Sequence, residues 1–157
     1  MKNSTFTTIG LIVMFLVSFV SSAQVGINTT SPKSTLDING NLSVKTVSVN
    51  GNGTGGGGSS VLLNDGVYIS VSPSSNDDKF ELPDPTQYPG RVYFIRNIHN
   101  SNTAQLITPN GLFFLKGITS GGSSNLFMYD NHLRSVLIVS DGLNWTIFNA
   151  EDGASLP

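Results

Sequence analysis

Cysteine does not occur anywhere in the 157 residues. No disulfide, thiolate nucleophile or thiolate metal ligand is available, so stability must come from a buried core, from association of copies, or from both. Charge is scarce as well. Asp, Glu, Lys and Arg together make up 11% of the chain, where about a quarter is usual. The net charge of −2 gives nucleic acid or anionic lipid nothing to be drawn to. Histidine occurs only as His99 and His132, and glutamate only as Glu81 and Glu151. Two histidines far apart, with no cysteine, argue against zinc, which takes about three or four clustered ligands. Two glutamates, one of them close to the C-terminus, are a poor kit for glycoside hydrolysis.

The N-terminus reads as an export signal. Lys2 gives a positive start, Ile9 to Val20 is an apolar run, and Ser21-Ser22-Ala23 supplies small residues for cleavage. The run is short for a membrane span, and no later apolar run is long enough for one. Gln24 follows the cleavage point, where a lipoprotein would need cysteine. The mature chain, residues 24–157, is therefore expected in a secreted or cell-surface location, with periplasm and exterior both open. Loss of Lys2 with the leader leaves it mildly acidic.

Four regions follow the leader. Residues 24–50 form an extended, turn-punctuated stretch resembling a stalk. Residues 51–60, within the run NGNGTGGGGSS, read as a flexible Gly/Ser linker. Residues 61–150 read as a compact all-β domain, and 151–157 as a frayed tail. The domain alternates short apolar runs with turn signals, the pattern of a β-sandwich or barrel-like fold. Val67 to Val71 and Arg91 to Ile98 are its clearest strands, with Val92 and Phe94 facing one way and Tyr93 and Ile95 the other. Asn110-Gly111 and Asp141-Gly142-Leu143-Asn144 suit tight hairpins. No stretch after the leader keeps a helical apolar period, so almost no helix is expected.

Residues 24–44 read QVGINTTSPKSTLDINGNLSV. This resembles the VGIGTTxPxxxLDVxGxV segment of bacteroidete surface proteins and phage tail-fibre stalks, through Val25, Gly26, Ile27, Thr29, Thr30, Pro32, Leu36, Asp37, Ile38, Gly40 and Val44. Asn28 stands where that pattern has a second glycine. The later FELPDPTQYPGRVYFIRNI and SVLIVSDGLNWTIFN are similar to small β domains on such proteins. The resemblance implies homotrimeric β-rich shafts carrying knobs or adhesive tips, and it supplies no catalytic residues. Composition points the same way. Val25, Ile27, Leu36, Ile38, Leu42, Val44, Val47 and Val49 lie on a stretch, residues 25–49, too short and glycine-interrupted to close a core alone. Identical chains are therefore expected to cover its apolar edges together; the alternative is that the segment packs on its own globular domain.

The search for chemistry is mostly negative. Asn76-Asp77-Asp78 and Asp65 are oxygen-rich, but the calcium-loop spacing is missing and a solvated turn is the better reading. Asp84, between prolines, is a candidate rigid loop acid. No serine lies in G-x-S-x-G, and Gly121-Gly122-Ser123-Ser124 is a plain loop. GNGTGGGGSS lacks the Lys-Ser/Thr ending of a phosphate loop. The sequons at Asn28, Asn41, Asn52 and Asn144 follow from Asn/Thr richness. Tyr88, Tyr129, His132 and Trp145 are aromatic candidates for stacking on sugar rings. Trp145 reads more simply as a core aromatic with its N–H satisfied, and Tyr129, Asp130 and His132 as the exposed contact loop. The expectation is a non-enzymatic, cofactor-free adhesive or structural module, trimeric, with a surface glycan or protein as partner. A monomeric carbohydrate-binding module is the alternative, and a secreted hydrolase a more remote one.

Overall fold

The computed structural model describes residues 25–27, 30, 36–115, 120–130 and 134–148. The stretch expected to be a leader, residues 1–23, and the expected tail, residues 151–157, lie outside them. The chain divides into two compact units, residues 1–43 and 44–157. In the first, β1 (Val25–Ile27) pairs in parallel with β2 (Leu36–Ile38), with Ile27 opposite Ile38. Three of its apolar side chains lie in solvent, Ile27 at 51% exposed, Leu36 at 54% and Leu42 at 70%, while Ile38 is half-buried.

The second unit carries β3 (Thr46–Asn50), β4 (Ser60–Leu62), β5 (Tyr68–Ser72), β6 (Asp78–Glu81), β7 (Val92–Asn97), β8 (Ala104–Ile107), β9 (Phe113–Phe114), β10 (Asn125–Met128), β11 (Ser135–Ser140) and β12 (Trp145–Ile147). The all-β expectation holds. Among the described residues the helical content is one 3-10 turn at Gly55–Gly57. Two mixed sheets form, one in the order β10-β8-β6-β4 and the other β3-β5-β7-β11-β12-β9.

The connectivity is the unexpected feature. From β3 to β8 the chain alternates between the sheets, and each strand pairs in parallel with the strand one coil earlier. Parallel neighbours need a long crossover. Here each crossover of one sheet carries a strand of the other, so the chain winds as three stacked coils: β3–β4, β5–β6 and β7–β8. Stacking aligns like with like. Val47, Ile69 and Ile95 form one inward column, while Ser48, Ser70 and Arg96 form an outward one. In the other sheet Val61, Phe80 and Leu106 are aligned.

After the third coil most of the pairing turns antiparallel, the exception being β9, which pairs β12 in parallel. β11 pairs β7, β12 pairs β11, and β10 pairs β8. At the margin, Phe113 and Ser123 exchange backbone hydrogen bonds of 2.7 and 3.1 Å. Ser123 leads directly into β10, so the far margins of the two sheets are stitched together. Both sheets feed one hydrophobic cluster that includes Ile69, Phe80, Tyr93, Ile95, Leu106, Phe113, Leu126, Ile138 and Trp145.

Two local expectations change. Asp141–Asn144 does close a hairpin, with Asp141 N–H donating to the Asn144 carbonyl at 3.0 Å. Asn110-Gly111 does turn, with Gly111 at φ 70°, but it closes no hairpin: β8 pairs β10, and β9 pairs β12 in the other sheet. The run 51–60, read as a linker, is a hydrogen-bonded loop joining β3 to β4 inside the second unit. A glycine-rich composition permits flexibility without requiring it, and here a buried acceptor holds the loop.

Candidate functional site

That acceptor is Asp78, fully buried at the start of β6. Its carboxylate receives backbone N–H bonds from Gly53 (3.0 Å), Gly55 (2.8 Å), Ser74 (2.8 Å) and Ser75 (3.1 Å), and the Ser75 hydroxyl at 2.9 Å. Burial alone would raise its pKa, but the donors, led by Gly55 and Gly53, stabilise the anion and bring it down to about 2. Asp78 is thus neither a solvated turn residue nor a free calcium ligand. Its oxygens are already used on N–H groups, and a metal would have to displace them. Asp65 pairs with Lys45.

The other polar candidates are also engaged in hydrogen bonds within the chain. Asp84 accepts the Thr86 hydroxyl at 2.7 Å and the Thr86 N–H at 2.9 Å, and these bonds lower its pKa. A general acid needs the opposite shift. Glu81 accepts the Ser60 hydroxyl at 2.6 Å across β4 and β6. His99 Nδ1 accepts the N–H groups of Ser101 and Asn102, capping a loop. Among the described residues no group of three or more His, Asp or Glu could hold a metal ion. Asn97, buried at the end of β7, is satisfied by the carbonyls of Asn102 and Met128 and by the His99 N–H.

The aromatic candidates separate. Trp145 is fully buried and packs on Tyr93, with ring centroids 5.8 Å apart. Its Nε1–H has no acceptor among the described residues, contrary to the expected satisfied N–H. Tyr88 lies exposed in the Gln87–Arg91 loop, covered on one ring face by the Arg91 guanidinium at 3.8 Å. Tyr129 is 37% exposed just past β10 and stacks on Phe127 at 6.2 Å. Asp130 beside it is half-buried. His132 lies outside the described residues, so the proposed contact loop is seen only through Tyr129 and Asp130.

A surface that sequence reasoning did not single out is better formed. The outward face of the six-stranded sheet carries a row running Thr46, Tyr68, Phe94, Leu137 on adjacent strands. Phe148 extends it, since its N–H bonds to the Leu137 carbonyl. A second row, two residues along the strands, runs Ser48, Ser70, Arg96, Ser135. A groove of about 500 Å³ lies over Tyr68, Phe94, Arg96, Ser135 and Leu137. A second hollow of about 310 Å³ shares Tyr68 and reaches Thr46 and Ser48. None of the six strands contains Asp or Glu, and Arg96 is their only charged residue. The available signal was period-two alternation in β5 and β7, which separates the two faces of a strand without saying which is outside.

No known protein family, no curated protein and no solved structure matches this chain.

Proposed function

We propose that this chain is an exported, non-enzymatic structural or adhesive module. In this reading the second unit is a β-sandwich that ends a stalk and presents a face to a partner, with the stalk segment holding three copies together. The observation that carries it is the polarity of the winding. At the later end the Phe113–Ser123 bridge ties the edge strand β9 to the segment that enters the edge strand β10. The first coil ends in two edge strands, β3 and β4, each paired on one side only. Stacked-coil folds need a cap at each end, and an uncharged edge such as Thr-Val-Ser-Val-Asn is a ready template for another strand. The exposure of Ile27, Leu36 and Leu42 in the first unit adds apolar surface that a second chain would cover. The resemblance of residues 24–44 to bacteroidete and tail-fibre stalks supports the trimer and the surface location. Three weak sites on one assembly then bind a repetitive surface by avidity.

Light scattering on the size-exclusion peak of residues 24–157 tests this reading. A trimer mass is the expected result, and removal of residues 24–43 should lower it. A folded monomer at micromolar concentration overturns it and favours the monomeric carbohydrate-binding alternative.

A further inference from the structure

We propose that the outward face of the six-stranded sheet binds an acidic oligosaccharide, with its rings on the Tyr68–Phe94 row and a carboxylate on Arg96. The inference rests on the adhesive reading above and names the ligand class and the site.

The groove has the two-sided chemistry of a sugar site. Its floor is apolar: Phe94 is 44% exposed although it sits mid-strand in a central position of the sheet. Tyr68 and Phe94 are register partners on adjacent strands, so their attachment points are about 5 Å apart. Pyranose rings carry an apolar C–H face that packs on such rings, with hydroxyls around the edge. The parallel row supplies the Ser48 and Ser70 hydroxyls along that edge, beside Arg96.

Charge selects the ligand further. Arg96 is exposed and has no ion-pair partner among the described residues. Its fork of donors matches a carboxylate in bidentate geometry. No acid occurs on any strand of this sheet to compete for it. In a chain with net negative charge, this is a local cationic spot on an otherwise neutral, hydroxyl-rich face. A neutral glycan would leave Arg96 unused, and a basic partner would be repelled by it.

The test is calorimetric titration of the exported chain with an oligouronate and with a neutral gluco-oligosaccharide of equal length. The oligouronate should bind at least tenfold more tightly. Arg96→Gln should remove that preference and leave neutral binding unchanged, while Phe94→Ala should weaken both ligands. Lys79→Gln, on the other sheet, should change neither. Equal binding of the two sugars, no binding of either, or an Arg96→Gln variant that keeps the preference overturns the proposal. Molecular mass is measured on the same samples. A chain that keeps its trimer mass yet ignores both sugars sinks the site and leaves the assembly reading standing. Phe94→Ala that dissociates the trimer marks the face as an interface between copies and likewise sinks the site. Arg96 is solvent-exposed, so its variant reports on binding even if Phe94→Ala folds poorly.

Discussion

Asp78 accepts a 2.8 Å hydrogen bond from the Gly55 N–H, 23 residues earlier in the chain. With the parallel bonds from Gly53, Ser74 and Ser75, one buried carboxylate ties the β3–β4 loop to the β5–β6 turn. Two successive coils are thereby joined at one end of the stack, in a protein with no disulfide to do so.

Asp78→Ala should therefore be among the most damaging polar substitutions. It leaves several N–H donors without their acceptor, and a cost of about 3 kcal/mol follows from buried, charge-assisted bonds. Asp78→Asn keeps the shape but replaces an acceptor by a donor, and should cost about 2 kcal/mol. Urea unfolding followed by Trp145 emission measures both. A loss below about 0.5 kcal/mol in Asp78→Ala would refute the role.

The same carboxylate sets an acid limit. Its folded pKa of about 2 lies below the ordinary value of 3.8. A depressed acid stabilises the fold above its unfolded pKa, and that contribution is lost as pH falls through the folded one. Stability should be flat above about pH 5 and decline between about pH 4 and 2, with on the order of 2 kcal/mol coming from Asp78. Asp78→Asn should show a shallower acid decline than the parent. Parallel acid-unfolding curves would exclude this linkage.

Gly51 is fixed by the same cluster. A Cβ there would collide with the Asp78 carboxylate and come within 2.9 Å of the Ser74 backbone nitrogen, whereas one at Gly57 meets nothing within 4 Å. Gly51→Ala should cost about 1–3 kcal/mol, and Gly57→Ala should stay within about 0.5 kcal/mol of the parent. Melting temperatures of the pair decide it: equal values would mean that the loop yields.

Phe80 and Leu143 make a similar contrast in the apolar class. Phe80 is fully buried between Val61 and Leu106 on neighbouring strands, and Leu143 is 68% exposed. Phe80→Ala should cost about 3–5 kcal/mol, and Leu143→Ala should be near neutral. Trp145, the only tryptophan and fully buried, should emit at short wavelength in the folded chain and shift red on unfolding. Red-shifted emission from the native protein would contradict its placement in the core.

Legibility in the sequence followed physical range. The alternation in Tyr93-Phe94-Ile95 and the Asp141–Asn144 hairpin are local, and both were readable. Partner choice was not. Thr46-Val47-Ser48-Val49 stacks on Tyr68-Ile69-Ser70-Val71, but the repeat is too brief and its spacing too irregular to announce coils. Asn110-Gly111 carries hairpin chemistry, yet the following strand goes to the other sheet, because a turn fixes local direction and not the neighbour. The groove is illegible in the sequence for a related reason. Aromatic residues in loops look like contacts and those in strands look like core, and the outward placement of Tyr68 and Phe94 depends on which face the second sheet covers.

By itself the sequence determined an all-β chain with little helix, no disulfide and no metal-binding spacing, because those properties follow from composition and from neighbours a few residues apart. The tertiary structure alone decided the stacked coils, the conversion of a glycine-rich run into a pinned loop, and the gathering of Tyr68, Phe94 and Arg96 on one face. Each of these depends on contacts between residues some twenty or more positions apart, whose energy exists only once the coils have closed.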